Sequence, residues 1–284
     1  NRVQEGPDMP TPEPDPFRAR RLAFDFDPQV VPVHWNGGNV VASHAVNGMN
    51  LVFPDGERFF IRSVRRYLHR IDDPSLKARA RVFFQQEAQH GHAHEQAFEM
   101  LEGQGFEVAS WLAWYRQLAF RRIEPFAPAM LSLAVTAAME HLTAALGHET
   151  LAEGTMDAAH PVMRDLLRWH SAEEIEHKSV AFDVLTAVGG GWGMRVVGMT
   201  LGLFFFLVFW QSATRHLTRQ DPELQRDPGR WRRDKRELHA RLGDTRLRLF
   251  RFALGYLRPG FHPDDIDDYP LAQAALVELA PLEV

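Results

Sequence analysis

Between Gly38 and Gly189 apolar residues recur every three or four positions, punctuated by proline, glycine and aspartate. At about 3.6 residues per turn that spacing gives each segment one apolar side, so the pattern predicts helices. A first, uncharged helix is expected from about Gly38 to Val52. Pro54 and Asp55 then open FPDGERFFIRSVRRYLHRI, with Asp55 as a cap and Phe60, Ile61, Val64 and Leu68 on one side. Asp72-Asp73-Pro74 ends that helix and starts the next, which runs to Gly103. The stretch EVASWLAWYRQLAFRRIEPFAP predicts a connecting helix ended by Pro125. Two more follow, from about Pro128 to Gly154 and from Pro161 to Gly189. No alternating run is long enough for a strand, so the expected class is all-α.

The ends read differently. Residues 1–16, NRVQEGPDMPTPEPDP, combine proline and acid without an apolar run, the signature of a disordered tail. Phe17 to Val33 carries short apolar pieces around Asp25, Asp27 and Pro28, expected to wrap irregularly over the domain. At the other end VVGMTLGLFFFLVFW, Val196 to Trp210, is uncharged, and with QSAT the uncharged span reaches 19 residues. That is near the lower limit of about 17–25 for crossing a bilayer. Residues 211–258 hold 13 Lys and Arg against 6 Asp and Glu, a balance of +7, while the whole chain stands at −5 and the remainder therefore at −12. An apolar helix beside a basic segment suits peripheral contact with an anionic membrane. A core helix or a homodimer interface is the equal alternative. The organisation expected is thus a tail (1–16), a helical bundle (17–190), and an apolar helix with a basic helical extension packed on it (191–284).

Composition removes several chemistries. Cysteine is absent, which excludes disulfides, thiolate metal sites and cysteine nucleophiles. The net charge of −5 argues against nucleic acid as a partner. No dinucleotide or flavin fingerprint occurs. The 14 histidines, by contrast, are an ample supply of nitrogen ligands.

The nine residues WHSAEEIEH, Trp169 to His177, concentrate that supply. On a helix His170, Glu174 and His177 fall within about 60° of one another, a column of donors on one face. A solvated face would also tolerate such residues, so the stretch means little alone. Its context decides. Glu57 lies among apolar neighbours, Glu87-Ala-Gln-His90 on the next long helix, Glu140 in LAVTAAMEHLTAAL, and Glu174-Ile-Glu-His177 on the last. The order Glu, Glu-x-x-His, Glu, Glu-x-x-His on four long helices is the ligand set of ferritin-like di-metal carboxylate bundles. Adjacent divalent ions repel, four carboxylates neutralise them, and each imidazole completes one ion. Glu140 is the most informative member, because no other carboxylate occurs from Pro128 to Gly147 and a buried Glu without a partner costs several kcal/mol. His94, four residues after His90, is a rival ligand, and Glu173 could replace Glu174. His92, His141, His148 and His160 read as surface, capping or supporting groups.

These residues carry two resemblances. LVFPDGERFFIRSVRRYL, FFQQEAQHGHAHE, AVTAAMEH, WHSAEEIEHKSVAFDV and YLRPGFHPDD resemble the bacterial family of predicted metal-dependent hydrolases, placed among ferritin-like metal-carboxylate proteins, over roughly Phe17 to Asp268. The spacing of His170, Glu174 and His177 is also similar to that in p-aminobenzoate N-oxygenases, which implies His170 as an added ligand. Together they imply a ferritin-like four-helix bundle with additional C-terminal helices. Its ligands would be Glu57, Glu87, His90, Glu140, His170, Glu174 and His177, holding two iron ions, with manganese an alternative. The chemistry expected is activation of dioxygen to oxidise an apolar or amphipathic small molecule, with electrons from a separate donor protein. A hydrolase using a metal-bound hydroxide and a non-catalytic metal-binding or membrane-associated protein are the alternatives. The expected location is the cytoplasm, at the inner face of the membrane.

Overall fold

Asn39 begins the first helix: its side chain accepts a hydrogen bond from the Ala42 amide. In the computed structural model, which describes residues 17–284, this helix is α1 (Val40–Arg65) and it runs straight through Pro54. The expected tail lies outside the described residues. Asp73 caps α2 (Pro74–Gly103), with Pro74 in the first turn, where its missing amide costs nothing. After α3 (Ala109–Tyr115) the chain passes through a π-helical turn, Arg116–Ile123, and a 3-10 turn, Glu124–Phe126. Then come α4 (Ala129–Ala152), α5 (Pro161–His177), α6 (Val180–Ala187) and α7 (Trp192–Gln220). Four shorter helices close the chain: α8 (Pro222–Arg226), α9 (Arg230–Leu242), α10 (Thr245–Tyr256) and α11 (Tyr269–Leu279). Among the described residues there is no strand, and the fold is all-α.

Three local expectations are corrected. The break at Pro54 does not occur. A proline inside a helix costs about 3 kcal/mol, but α1 packs against α2 on one side and α7 on another, and Leu51, Val52, Pro54 and Glu57 are all buried there. Asp55 is therefore no cap; it pairs with Arg58 and with Arg116, at 3.2 and 2.7 Å. The helix expected from Pro161 to Gly189 divides at Lys178 and Ser179. The Lys178 ammonium is buried against the Ile266 carbonyl (2.6 Å) and the Asp268 carboxylate, and Arg79 donates to the Ser179 hydroxyl at 3.1 Å, which fixes the turn. The connecting helix keeps α-helical spacing only to Tyr115.

Small residues set the helices close together. A β-carbon on Gly147 would lie 2.7 Å from the Ser171 carbonyl oxygen, so α4 and α5 touch backbone to backbone beside the WHSAEEIEH stretch. A β-carbon on Gly198 would lie 2.4 Å from the Ala134 carbonyl oxygen, which seats α7 on α4. α7 also runs along α1, and α9, α10 and α11 pack on α1, α4 and α5. The segment before α1 is irregular and joins the C-terminus: Ala23 donates to the Leu282 carbonyl and Val284 to that of Arg21, both at 2.9 Å.

The core divides into two large apolar clusters. One holds Leu51 and Val52 of α1, Ala93 and Phe98 of α2, and Trp169 of α5. The other holds Val64 of α1, Ala80 and Phe83 of α2, and Val180 just beyond α5. Glu57, Glu87, His90, Glu174 and His177 all fall between those limits along their helices. The polar layer is therefore enclosed by apolar packing on both sides, and it lies within the bundle rather than at its end.

Candidate metal centre

Four helices deliver the layer. Glu57 comes from α1, Glu87 and His90 from α2, Glu140 from α4, and His170, Glu174 and His177 from α5, and every one is buried. The i, i+3 spacing works as the sequence suggests, placing each Glu-x-x-His pair on one helix face. Glu57, His90, His170 and Glu174 each offer one atom within 4.8 Å of the others, and Glu87, His90, Glu174 and His177 do the same. His90 and Glu174 belong to both groups, so the two donor sets adjoin. Glu140 belongs to neither, but its carboxylate reaches to 3.7 Å from His177 Nδ1.

The hydrogen bonds orient the donors. His90 Nε2 lies 3.1 Å from Glu173 Oε2. A carboxylate only accepts, so this nitrogen carries a proton, and Nδ1 faces Glu87 and Glu174, 3.8 and 3.9 Å away. Glu173 in turn accepts from Arg20 at 3.1 Å, and Arg20 also holds Glu176. The structure thus puts Glu173 on the outer side of His90 and not with Glu174. His170 Nε2 faces Glu174 Oε1 at 2.8 Å and Glu57 Oε1 at 3.8 Å. Its Nδ1 meets His94 Nε2 at 2.6 Å, so His94 contacts His170 and stands outside both groups. Thr143 donates its hydroxyl to Glu174 Oε2.

Many donor atoms have no such partner. Both oxygens of Glu57, Glu87 and Glu140, both nitrogens of His177 and Nδ1 of His90 are buried with no hydrogen-bond partner among the described residues. Buried polar groups are ordinarily satisfied, because each orphan costs roughly 1–3 kcal/mol. So many in one layer fit a bound cation, whose natural ligands are carboxylate oxygen and imidazole nitrogen.

The electrostatics agree. Burial and the nearby Glu87 carboxylate push Glu57 and Glu140 well above the usual carboxylate range. Burial would raise Glu174 too, but His177 and the hydrogen bond from His170 outweigh it and hold Glu174 well below that range. Burial acts to lower His90 and His177; the carboxylates of Glu173 and Glu87 raise the first well above its usual value, and Glu174 raises the second. Burial, then the nearby imidazole of His170, holds His94 well below its usual value. Burial and His90 lower His170.

A cavity of about 570 Å³ opens onto this layer. Glu57, Glu174 and Thr143 form its polar end, and the remaining wall is almost wholly apolar, with Phe53, Phe59, Phe120, Phe205 and Phe209 prominent. Its size is ordinary for a small-molecule site. The wall is contributed by α1, the π-helical turn, α4 and α7, segments far apart in sequence, and no local pattern announces it. Arg20 and Thr143 are likewise absent from the sequence expectations. Thr143 had a signal, one helical turn after Glu140; Arg20, in the irregular segment, had none. His92 is exposed, and His141 is spent on the Phe252 carbonyl at 2.9 Å. His34 and His44 both approach Asp221 Oδ2, at 2.7 and 2.6 Å, so that one carboxylate oxygen ties α1 and the preceding segment to α8.

If Glu173 only orients His90, Glu173→Gln should lower metal affinity by no more than about tenfold, the lower end of the effect of partners outside the ligand set. Glu87→Gln should lower it far more. Calorimetric titration of both variants with manganese distinguishes the roles, and equal losses would make Glu173 a ligand.

An all-helical chain that buries four carboxylates and three imidazoles in one layer is, in class, a metal-dependent protein. A family model described as predicted metal-dependent hydrolase matches residues 18–267, and the chain belongs to that family. No curated protein and no solved structure matches it.

Proposed function

We propose that the chain is a metal-dependent hydrolase with a two-metal centre, acting on a small molecule that has an apolar body. Glu57, Glu87, His90, Glu140, His170, Glu174 and His177 are the proposed ligands. The observation that carries the reading is the row of orphaned donor atoms at the inner end of an apolar cavity. Iron and manganese both suit these donors. When bound, such ions act as Lewis acids and lower the pKa of water. The chain's own part is to position and to exclude. The phenylalanines hold the apolar body and keep out bulk water, and the scissile bond comes to rest beside Glu57 and Glu174, the two carboxylates of the buried layer that border the cavity. Thr143 steadies Glu174 from the same side. Water then adds across the bond, one product taking the hydroxyl and the other the proton.

The ratio of four carboxylates to three imidazoles supports a second reading, a di-iron oxygenase using dioxygen and electrons from a separate donor protein. One pair of assays separates the two. Manganese- and iron-loaded protein is given 4-nitrophenyl esters of increasing chain length, and reduced iron-loaded protein is tested for oxygen uptake. We expect ester cleavage that needs metal, rises with chain length and is lost in Glu174→Ala. Oxygen uptake coupled to substrate oxidation, with no cleavage, would replace the first reading by the second.

A further inference from the structure

Among the described residues two helices are long and apolar enough to cross a bilayer, and the fold treats them oppositely. The most apolar window of α4 is 61% buried, and that of α7 only 28%. The inner side of α7 is seated on α4 and α1. Its outer side presents Phe204, 58% exposed, and Val208, next to the exposed Trp114 of α3. This outer surface is continuous with the cavity wall. Phe204 packs on Phe205 with ring centres 5.2 Å apart, and Trp114 on Phe209 at 5.9 Å. Both partners line the cavity, as does Phe126, which is 87% exposed.

The charges on this surface that lack an ion-pair partner are arginine. Arg215 and Arg219 border the groove between Trp114, Phe204 and Val208, and Arg122 of the π-helical turn borders the cavity. All three are exposed, and none forms an ion pair among the described residues. The nearby carboxylates are engaged: Glu124 accepts from Arg62 at 3.0 Å, and Glu107 accepts from the Ser110 amide and hydroxyl at 2.6 and 2.5 Å. Aromatic and aliphatic side chains rimmed by unpaired arginine match an anionic lipid surface, where apolar groups enter the acyl boundary and the cations meet phosphate. Tryptophan and arginine are the usual anchors at that depth.

We propose that this face lies on an anionic bilayer and that the cavity receives an acyl-chain amphiphile from it. The chemistry done on that substrate rests on the hydrolase reading; the docking and the binding do not. An apolar cavity whose outer wall is also the docking face lets a lipid chain reach Glu57 and Glu174 without crossing water.

Flotation of the full chain with vesicles of phosphatidylglycerol and phosphatidylcholine, and with phosphatidylcholine alone, tests the docking. Titration with the fluorescent fatty acid parinaric acid tests the cavity. The chain should float with the anionic vesicles only. Arg215→Gln and Arg219→Gln should each weaken the association about fivefold. Phe204→Ser with Val208→Ser should abolish it while the circular dichroism stays unchanged. Ala119→Trp, which fills the cavity wall, should remove parinaric acid binding. Absence of flotation overturns the proposal, as does flotation indifferent to Phe204 and Val208. A concentration-dependent dimer lost in the Phe204 and Val208 variant, without vesicle binding, would assign the face to a second copy of the chain instead. Vesicle and fatty-acid binding in a protein that cleaves no ester would support this proposal and defeat only the hydrolase reading.

Discussion

Purified in the presence of manganese or iron, the protein should carry two ions per chain, and Glu174→Ala should carry almost none. Glu174, with His90, belongs to both donor groups, and it is the carboxylate they share: Oε1 lies 2.8 Å from His170 Nε2, and Oε2 lies 3.5 Å from His177 Nε2. In a two-metal centre its removal would take away the carboxylate that both donor groups share and strand the imidazoles on either side. Even partners outside a ligand set typically cost about 10–100-fold in affinity, and a shared ligand should cost more at both positions. Glu140→Ala should be less severe, since Glu140 approaches only His177, at 3.7 Å. It should weaken one ion and leave the other. Glu102→Ala, at the exposed C-terminal end of α2, should leave both. Metal analysis of the three variants by plasma emission spectroscopy reads the outcome. Two ions in Glu174→Ala would remove that residue from the centre, and equal content in Glu140→Ala and Glu102→Ala would remove Glu140.

The residues of the layer were legible in the sequence because their signal is local. A Glu-x-x-His pair needs only the pitch of one helix to share a face, and an isolated Glu140 in an apolar helix needs only the cost of burial to call for a partner. What the sequence left open was which of two neighbouring donors turns inward. Glu173 and Glu174 differ by one position, and the choice between them depends on Arg20, a residue about 150 positions earlier whose pairing with Glu173 holds that carboxylate outward. His94 and His170 were equally undecidable, because their contact at 2.6 Å joins two helices. Pro54 was misread for a related reason. Its intrinsic cost is local, whereas the packing that overrides it comes from α2 and α7. The cavity is the extreme case. Its wall is built from α1, the π-helical turn, α4 and α7, and the apolar run in α7 gave no hint of which side would line it.

Stripped of metal with a chelator, the protein should become less stable as pH rises above about 6.5, and loaded protein should not. The sign follows from which state holds the proton. Glu57 and Glu140, raised well above 4.5 by burial and by the Glu87 carboxylate, hold protons above 4.5 that the unfolded chain has released, and lose them as pH passes their raised values. His90 and His177, lowered by burial but raised further by Glu173, Glu87 and Glu174, do the same above their ordinary value of 6.5. A raised folded pKa stabilises fully below the unfolded value, and that contribution is lost as pH climbs toward the folded one. The opposing groups are silent in this window. Glu174, with a lowered pKa, gives its full contribution once pH exceeds 4.5, and the lowered His94 and His170 give theirs once it exceeds 6.5. Only the destabilising slopes remain, at about 1.4 kcal/mol per pH unit for each proton retained. Metal removes the cause by taking the place of those protons, and its affinity rises with pH as ligands deprotonate. Urea denaturation across this range, with chelator and with manganese, should therefore give slopes of opposite sign. A chelated protein that gains stability above pH 6.5 would mean that these carboxylates are ionised without a metal, and the case for a cation in the layer would fall with it.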